Sequence, residues 1–314
     1  MVQRSIVGIV AALVAVVAGA QLPLQRRNPF NKFSQVVVFG DSLVDNGNGT
    51  FLLTNKTWPR DPAYFNGRFS DGLVWTEHLA DMLGVPTVVD HAYGSATTNN
   101  SRSKGESGYY SNITVPDMWQ QVRTYTRNHA RLDASALYIL SGGSNDMYFG
   151  ASSGSPQTIA KLAVSSLNKT AQELYRHGAR HFVFESLGIV AGTPSARLPG
   201  AGENTTLAMQ RFAETFNSEM RRLVAHTRRG HATFVDMHKC QRMIIDDPHK
   251  YGFKNTTAAC LRGAYKDERD AGIQRHLCAH PEEYLFFDIF HPTTHTHQLF
   301  ARAAADALTK SYAA

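Results

Sequence analysis

The chain has 314 residues, 43% of them hydrophobic and 10% aromatic, which supplies a sizeable core and excludes a disordered or fibrous protein. Lysine and arginine outnumber the acids by 32 to 26, for a net charge of +6. The excess is scattered, with pairs only at Arg26-Arg27, Arg221-Arg222 and Arg228-Arg229. No basic stripe is interleaved with aromatics, so no nucleic-acid partner is expected, and mild attraction to acidic polymers is the reading left.

Arg4, an apolar run over 6–17 and Ala18-Gly19-Ala20 form the pattern of a secretory signal peptide over residues 1–20, with cleavage expected after Ala20. The run is short for a bilayer span and is followed by QLPLQRR instead of a stop-transfer signal. Residues 21–33 read as an N-terminal extension, in which Arg26-Arg27 is either a dibasic processing point or a solvated charge pair. Residues 34–314 then read as one domain, because the two halves of the candidate site lie at its opposite ends. No later segment is long and apolar enough to span a membrane, so no membrane anchor is expected and the mature chain reads as secreted and extracellular. Sequons agree with export: Asn55, Asn99, Asn112, Asn168, Asn204 and Asn255 are the expected acceptors, while Asn48 lies too close to Ser42 to be favoured.

The first strand is expected over 35–39, where Val36-Val37-Val38-Phe39 breaks at Gly40 and presents Asp41 and Ser42. A helix follows over 73–83, then a strand over 87–89 and the turn DHAYGSATT. Residues 99–115 are polar and rich in Gly and Ser, and read as a long surface loop near the site. Met118, Val122 and Tyr125 mark a second helix. A strand over 137–140 ends in Ser141-Gly142-Gly143, with Asn145 and Asp146 beyond it. Helices over 158–175 and 206–227 flank a strand over 181–184 that ends at Glu185; a last strand covers 233–235 and a last helix 297–308. Residues 239–281 lack clear periodicity and hold Cys240, Cys260 and Cys278. A Cys260–Cys278 bond is expected there, bracing the segment ahead of Asp288; three buried thiols is the alternative. Strands alternating with helices build a doubly wound α/β/α domain whose ligands bind beyond the carboxyl ends of its strands. Ser42, Asn145 and Glu185 all follow such ends.

A serine at a strand tip, with an acid and a histidine supplied from elsewhere, is how a weak alcohol nucleophile is activated at neutral pH. Asp288 stands three residues before His291, close enough through a turn to fix the ring's tautomer. Alternatives stand beside each assignment. Asp-Ser after a strand is also an ordinary helix N-cap. His291 is one of 14 histidines, with His295 and His297 as rivals. His291 and His295 form an i, i+4 pair, but without an HExxH motif or a third ligand no metal is expected. Asn145 can donate to an oxyanion or close an Asx-turn. Gly94 can offer a backbone N–H to the same oxygen or simply turn the chain. Gly150-Ala151-Ser152-Ser153-Gly154 fits the G-x-S-x-G pattern, but it sits in a Ser/Gly/Pro loop where that motif has no meaning.

Taken in order, Ser42, Gly94, Asn145 and Asp288/His291 resemble the four blocks of the SGNH or GDSL family of esterases and lipases. Residues 64–72, YFNGRFSDG, are similar to a stretch of its plant-type and fungal members; Pro194 and the Cys260–Cys278 spacing fit as well. The resemblance covers essentially the whole mature chain. It implies a flavodoxin-like three-layer α/β/α sandwich with a mostly parallel five-stranded sheet. It implies Ser42 as nucleophile, His291 as base, Asp288 as its orienter, and an oxyanion hole from the Ser42 and Gly94 amides and the Asn145 side chain. The chain departs from the pattern at Asp90, His91 and Ser95, where many relatives have Asn-Phe/Tyr-Ala ahead of Gly-Gly.

The FGDSLxDNGN and YGSATTNN stretches further resemble carbohydrate esterase family sixteen, which implies acetylated plant cell-wall sugars as substrates. Phe286, Phe287, Ile289 and Phe290 either narrow an acyl pocket toward acetate or are simply core, and Trp58, Tyr109, Tyr110 and Trp119 are candidate sugar platforms. A lipase or acyltransferase for longer acyl esters is the alternative activity. A glycan-binding protein without catalysis would be marked by loss of Ser42, Asn145 or His291, and all three are present. No dinucleotide or Walker pattern appears in context, so no cofactor is expected. The expected partner is a small ester, and the expected state a monomer.

Overall fold

Five strands carry the site: β1 (Val36–Gly40), β2 (Val88–Asp90), β3 (Leu137–Ser141), β4 (His181–Glu185) and β5 (His231–Val235). In the computed structural model, which describes residues 33–150, 152–198, 202–227, 230–263 and 275–313, they pair in parallel in the order β2-β1-β3-β4-β5. The expectations for residues 1–20, for 21–32 and for Arg26-Arg27 fall outside the described residues. Phe33, assigned by sequence to the N-terminal extension, is instead buried against His181 and Tyr312, so the folded body begins at least one residue earlier than 34.

Period-2 alternation sends successive strand residues to opposite faces. Val37, Phe39, Tyr138 and Leu140 pack against α2 (Met118–Asn128), α3 (Pro156–Arg176) and α4 (Glu203–His226). Val36, Val38, Leu137 and Ile139 pack against α1 (Trp75–Leu83), α5 (Met237–Asp246) and α6 (Thr294–Ala313). Both faces are covered, which is why these strands read as unbroken apolar runs. The result is the expected three-layer α/β/α sandwich. The chain winds outward both ways from β1, and the crevice at such a switch point is where this topology places its ligands.

The segment 239–281 is more regular than its sequence suggests. Helix α5 enters it from Met237, capped by the Asp236 carboxylate, which accepts the Lys239 N–H at 2.9 Å. A strand over Asn255–Ala259 then pairs in parallel with one over Tyr284–Phe286. The buried face of α5 consists of Met237, Gln241 and Ile244, and the glutamine in that face breaks the apolar period. Cys260 and Cys278 form a disulfide at the edge of this unit, and Cys240 is free. The polar 99–115 loop contains a small hairpin, Glu106–Ser107 against Ile113–Thr114.

Candidate active site

Strand β1 delivers Ser42 through a tight turn in which the Val44 and Asp45 amides both donate to the Asp41 carbonyl. Gly40 is required because a Cβ there would lie 2.1 Å from the Ser141 carbonyl oxygen. The Gln121 side chain locks this end of the strand, accepting the Gly40 N–H and donating to the Gly40 carbonyl, both at 2.9 Å. Ser42 itself is left half-exposed, its Oγ 2.9 Å from Nε2 of His291, a residue 249 positions away.

His291 comes from a turn closed by the Phe287 N–H on the His291 carbonyl. Asp288 organises that turn: its Oδ1 accepts the Phe290 and His291 amides, each at 2.7 Å, and its Oδ2 is 2.8 Å from His291 Nδ1. Burial pushes the Asp288 carboxyl upward, but the facing imidazole and these hydrogen bonds outweigh it and hold the group below its ordinary range. A carboxylate facing Nδ1 places the ring proton there, which leaves Nε2 to accept from Ser42.

The stretch 64–72 was legible only by resemblance; its physical task is to clamp the histidine turn. The Tyr64 hydroxyl donates to Asp288 Oδ2 at 2.8 Å, and the Phe69 ring lies 5.1 Å from that of His291. Ser70 Oγ donates to the Pro292 carbonyl at 2.9 Å, and Asp71 caps α6 by accepting the Thr294 N–H at 2.7 Å. The rivals are engaged elsewhere. His295 Nδ1 bonds the Glu282 carbonyl and its ring stacks on Phe253. His297 is buried, accepts the Trp75 N–H on Nδ1, and is pushed down to about 3 by that burial.

The Gly94 amide, expected to face the oxyanion, has an acceptor of its own. Asp45 is buried and gathers the amides of Gly47, Gly49, Thr50 and Gly94, the last at 2.9 Å. The Gly94 N–H is therefore spent on Asp45. Its glycine is required for another reason: a Cβ there would stand 2.2 Å from the Phe69 ring that packs on His291. The next residue, Ser95, lines the cleft with Ser42 and Asn145 in a left-handed conformation at φ 72°. Its amide and that of Ser42 have no acceptor among the described residues. A serine in a conformation that favours glycine carries no sequence signal, so this donor was missed. Asn145 sits at the cleft, donating to the Ala96 carbonyl at 3.0 Å and more distantly to Asp41 Oδ2 at 3.4 Å.

Three further acids lie beneath the cleft. Burial pushes Asp41 up to about 6, Asp146 up to about 7 and Glu185 up to about 8. The cleft, about 360 Å³, has largely apolar walls, including Phe69, Leu187, Phe286 and Phe290. Of the four residues expected to narrow it, Phe287 instead packs with Tyr64 and Leu261, and Ile289 is not part of the wall. Trp58 lines the cleft, whereas Tyr110 is exposed on the hairpin and Trp119 lies elsewhere. Ser152 is exposed in a turn after the short helix Ser144–Gly150, with no strand leading into it.

A parallel sheet with serine, imidazole and carboxylate bonded in series at its switch point has the geometry for acyl transfer through an activated serine. Residues 36–304 match the family described as GDSL-like Lipase/Acylhydrolase, and the chain belongs to it. It is 26% identical over 307 residues to GDSL esterase/lipase 6 of Arabidopsis thaliana, covering 85% of each chain. It is 27% identical over 318 residues to GDSL esterase/lipase At2g04570 of the same plant, covering 87% of this chain and 90% of that one. Among solved structures it is similar to an inhibitor-bound aryl esterase of M. Smegmatis, with a TM-score of 0.49, 16% identity and coverage of 88% and 99%.

Proposed function

We propose that Ser42 is the nucleophile of this esterase, His291 its general base and Asp288 the group that orients and stabilises the imidazolium. Ser42 Oγ attacks the ester carbonyl as its proton passes to His291 Nε2. The resulting oxyanion is held by the Ser42 and Ser95 amides and by the Asn145 side chain, which turns from the Ala96 carbonyl to the substrate. Collapse expels the alcohol with the proton from His291 and leaves an acyl-serine, which water opens by the reverse sequence. One observation carries this reading: the unbroken series Ser42 Oγ, His291 Nε2, His291 Nδ1 and Asp288, with contacts of 2.9 and 2.8 Å. Ser42→Ala is expected to lower kcat by several orders of magnitude with unchanged thermal stability, and a serine-directed organophosphorus probe to label Ser42 alone. Labelling of another serine, or an active Ser42→Ala protein, would overturn the assignment.

The substrates we propose are O-acetyl esters of plant cell-wall carbohydrates, supported by polar groups set among aromatic walls in the cleft. The cleft's volume favours a second reading, esters of longer acyl chains, since acetate alone fills only a small part of about 360 Å³. A p-nitrophenyl ester series separates the two: faster turnover of octanoate than acetate establishes the second. Secretion is supported by the Cys260–Cys278 bond, which persists in oxidising compartments, and by the exposed sequons Asn55, Asn112 and Asn204. Asn99, Asn168 and Asn255 are half-buried acceptors. Among the described residues no helix is long and apolar enough to cross a membrane. Recovery of a glycosidase-sensitive protein from culture medium tests export.

A further inference from the structure

The cavity that opens on Ser42 and His291 is also lined by three buried polar side chains that the reaction does not use: Glu185, Gln241 and Trp75. They are 6%, 5% and 1% exposed. Glu185 stands at the carboxyl end of β4 and accepts the Ser141 hydroxyl on Oε1 at 2.5 Å; its second oxygen has no partner among the described residues. Gln241 projects from α5 and accepts the Ile189 N–H on Oε1 at 2.7 Å. That bond fixes which end of the amide is oxygen, and Gly188 lies so close that a Cβ there would sit 2.4 Å from it. Both hydrogens on Gln241 Nε2 are therefore unmatched among the described residues. The Trp75 indole N–H is buried without an acceptor among the described residues.

Of these atoms the Trp75 indole nitrogen is fully buried with no partner among the described residues, at a cost of about 1–3 kcal/mol. The unmatched ends of Glu185 and Gln241 belong to side chains that line the cavity, where a ligand can meet them. Around them stand Leu187, Met237, Leu285, Phe286 and Phe300, which suit a ligand body that is itself apolar. Burial holds the Glu185 carboxyl near 8, so at neutral pH it is mainly the uncharged acid, able both to donate and to accept. Gln241 and Trp75 can only donate from their unmatched atoms. A hydroxyl oxygen satisfies this set, accepting from the amide or indole while sharing a hydrogen bond with the acid. An alkyl group would leave every one of these atoms unpaired.

We propose that Glu185 and Gln241 are specificity residues that read a hydroxyl group on the ester, remote from the scissile carbonyl. This rests on the esterase reading of the same cleft. The hydroxyl can belong to the acyl part or to a sugar-like alcohol, and two substrate pairs distinguish these sources. One pair is p-nitrophenyl 6-hydroxyhexanoate against p-nitrophenyl hexanoate. The other is a mono-O-acetyl methyl xyloside with free hydroxyls against its O-methylated counterpart.

In one pair the wild-type kcat/KM is expected to favour the hydroxylated member by about tenfold or more, the worth of one hydrogen bond of about 1.4 kcal/mol. Glu185→Leu and Gln241→Leu are expected to bring that ratio within twofold of one, while Glu185→Gln keeps it. Because each ratio is taken within one protein, a partly unfolded variant does not disturb it. A wild-type ratio near one in both pairs overturns the proposal, as does a ratio unchanged by either Leu variant. If no ester is turned over, the esterase reading has failed separately. Calorimetric affinities of Ser42→Ala protein for hexane-1,6-diol and hexan-1-ol then decide the point: a preference for the diol that Glu185→Leu abolishes supports the pair, and equal affinities refute it.

Discussion

The hydroxyl of Tyr64 donates to Oδ2 of Asp288 at 2.8 Å, joining residues 224 positions apart, and it is the one side chain besides His291 that bonds this carboxylate among the described residues. Tyr64 is 6% exposed, packed edge-on against Phe287 and near Phe69. It thus fixes the acid from the side opposite the turn's own amides. Tyr64→Phe keeps the ring and removes one charge-assisted bond, of about 1.5–3 kcal/mol. We expect kcat to fall about tenfold with little change in KM. A residue that merely filled space would lower the amount of active protein and leave kcat per active site, counted by organophosphorus titration of Ser42, unchanged.

In the Gly94-Ser95 turn the Gly94 amide is bonded to Asp45, and the proposed oxyanion donor is the Ser95 amide. Ser95→Pro removes that N–H but also forces φ to about −65° in place of +72°, so it is expected to abolish turnover and to lower the melting temperature. Ser95→Gly retains the amide and relieves a strained φ, so it is expected to keep wild-type turnover. Gly94→Ala acts differently: its methyl meets Phe69, so it is expected to lower thermal stability and displace the ring packed on His291. Equal losses from Ser95→Pro and Ser95→Gly would return the donor to Gly94.

The strands of the central sheet were legible because burial on both faces leaves continuous apolar runs such as Val36-Val37-Val38-Phe39, and the proposed catalytic trio because Ser, Asp and His occupy spaced blocks of recognisable chemistry. What escaped notice was set by tertiary geometry. Gly94 and Ser95 are adjacent, and which amide faces the cleft depends on where the buried Asp45 carboxylate lies. Helix α5 buries the polar Gln241 between Met237 and Ile244, which interrupts the apolar row that would mark it. Tyr64 and Glu185 acquire their meaning only from Asp288 and Ser141, residues far away in sequence.

The Cys260–Cys278 bond bears on the site through the backbone. The Cys260 and Leu261 amides donate to the carbonyls of Phe286 and Phe287, the two residues leading into Asp288. Opening the bond frees a loop with a sequence separation of 18, worth about 3 kcal/mol in chain entropy. Paired Cys260→Ser and Cys278→Ser substitutions are expected to lower the melting temperature by several degrees and to lower kcat more than they raise KM. Unchanged kcat in the folded double variant would separate this brace from Asp288.

Stability should fall as the medium turns alkaline, because carboxyls beneath the cleft are held above their unfolded values. Glu185 is raised to about 8 chiefly by burial, against which the Ser141 hydrogen bond acts only in part, and Asp146 is raised to about 7 for the same leading reason. The folded protein therefore binds more protons than the unfolded chain between the ordinary carboxylate range and these values. That contribution is complete below the unfolded pKa and is lost as pH rises through about 7 to 8. His297 works from the other side: buried and lowered to about 3, it contributes stability above its unfolded value that is lost as pH falls. Glu185→Gln substitutes a group that stays neutral, so its stability should decline less than the wild type's between pH 6 and 9, by an amount on the order of a few kcal/mol. Urea unfolding midpoints across that range measure the difference. Parallel pH curves for the two proteins would mean that Glu185 is ionised in the folded state at neutral pH, and would remove the neutral acid from the cleft.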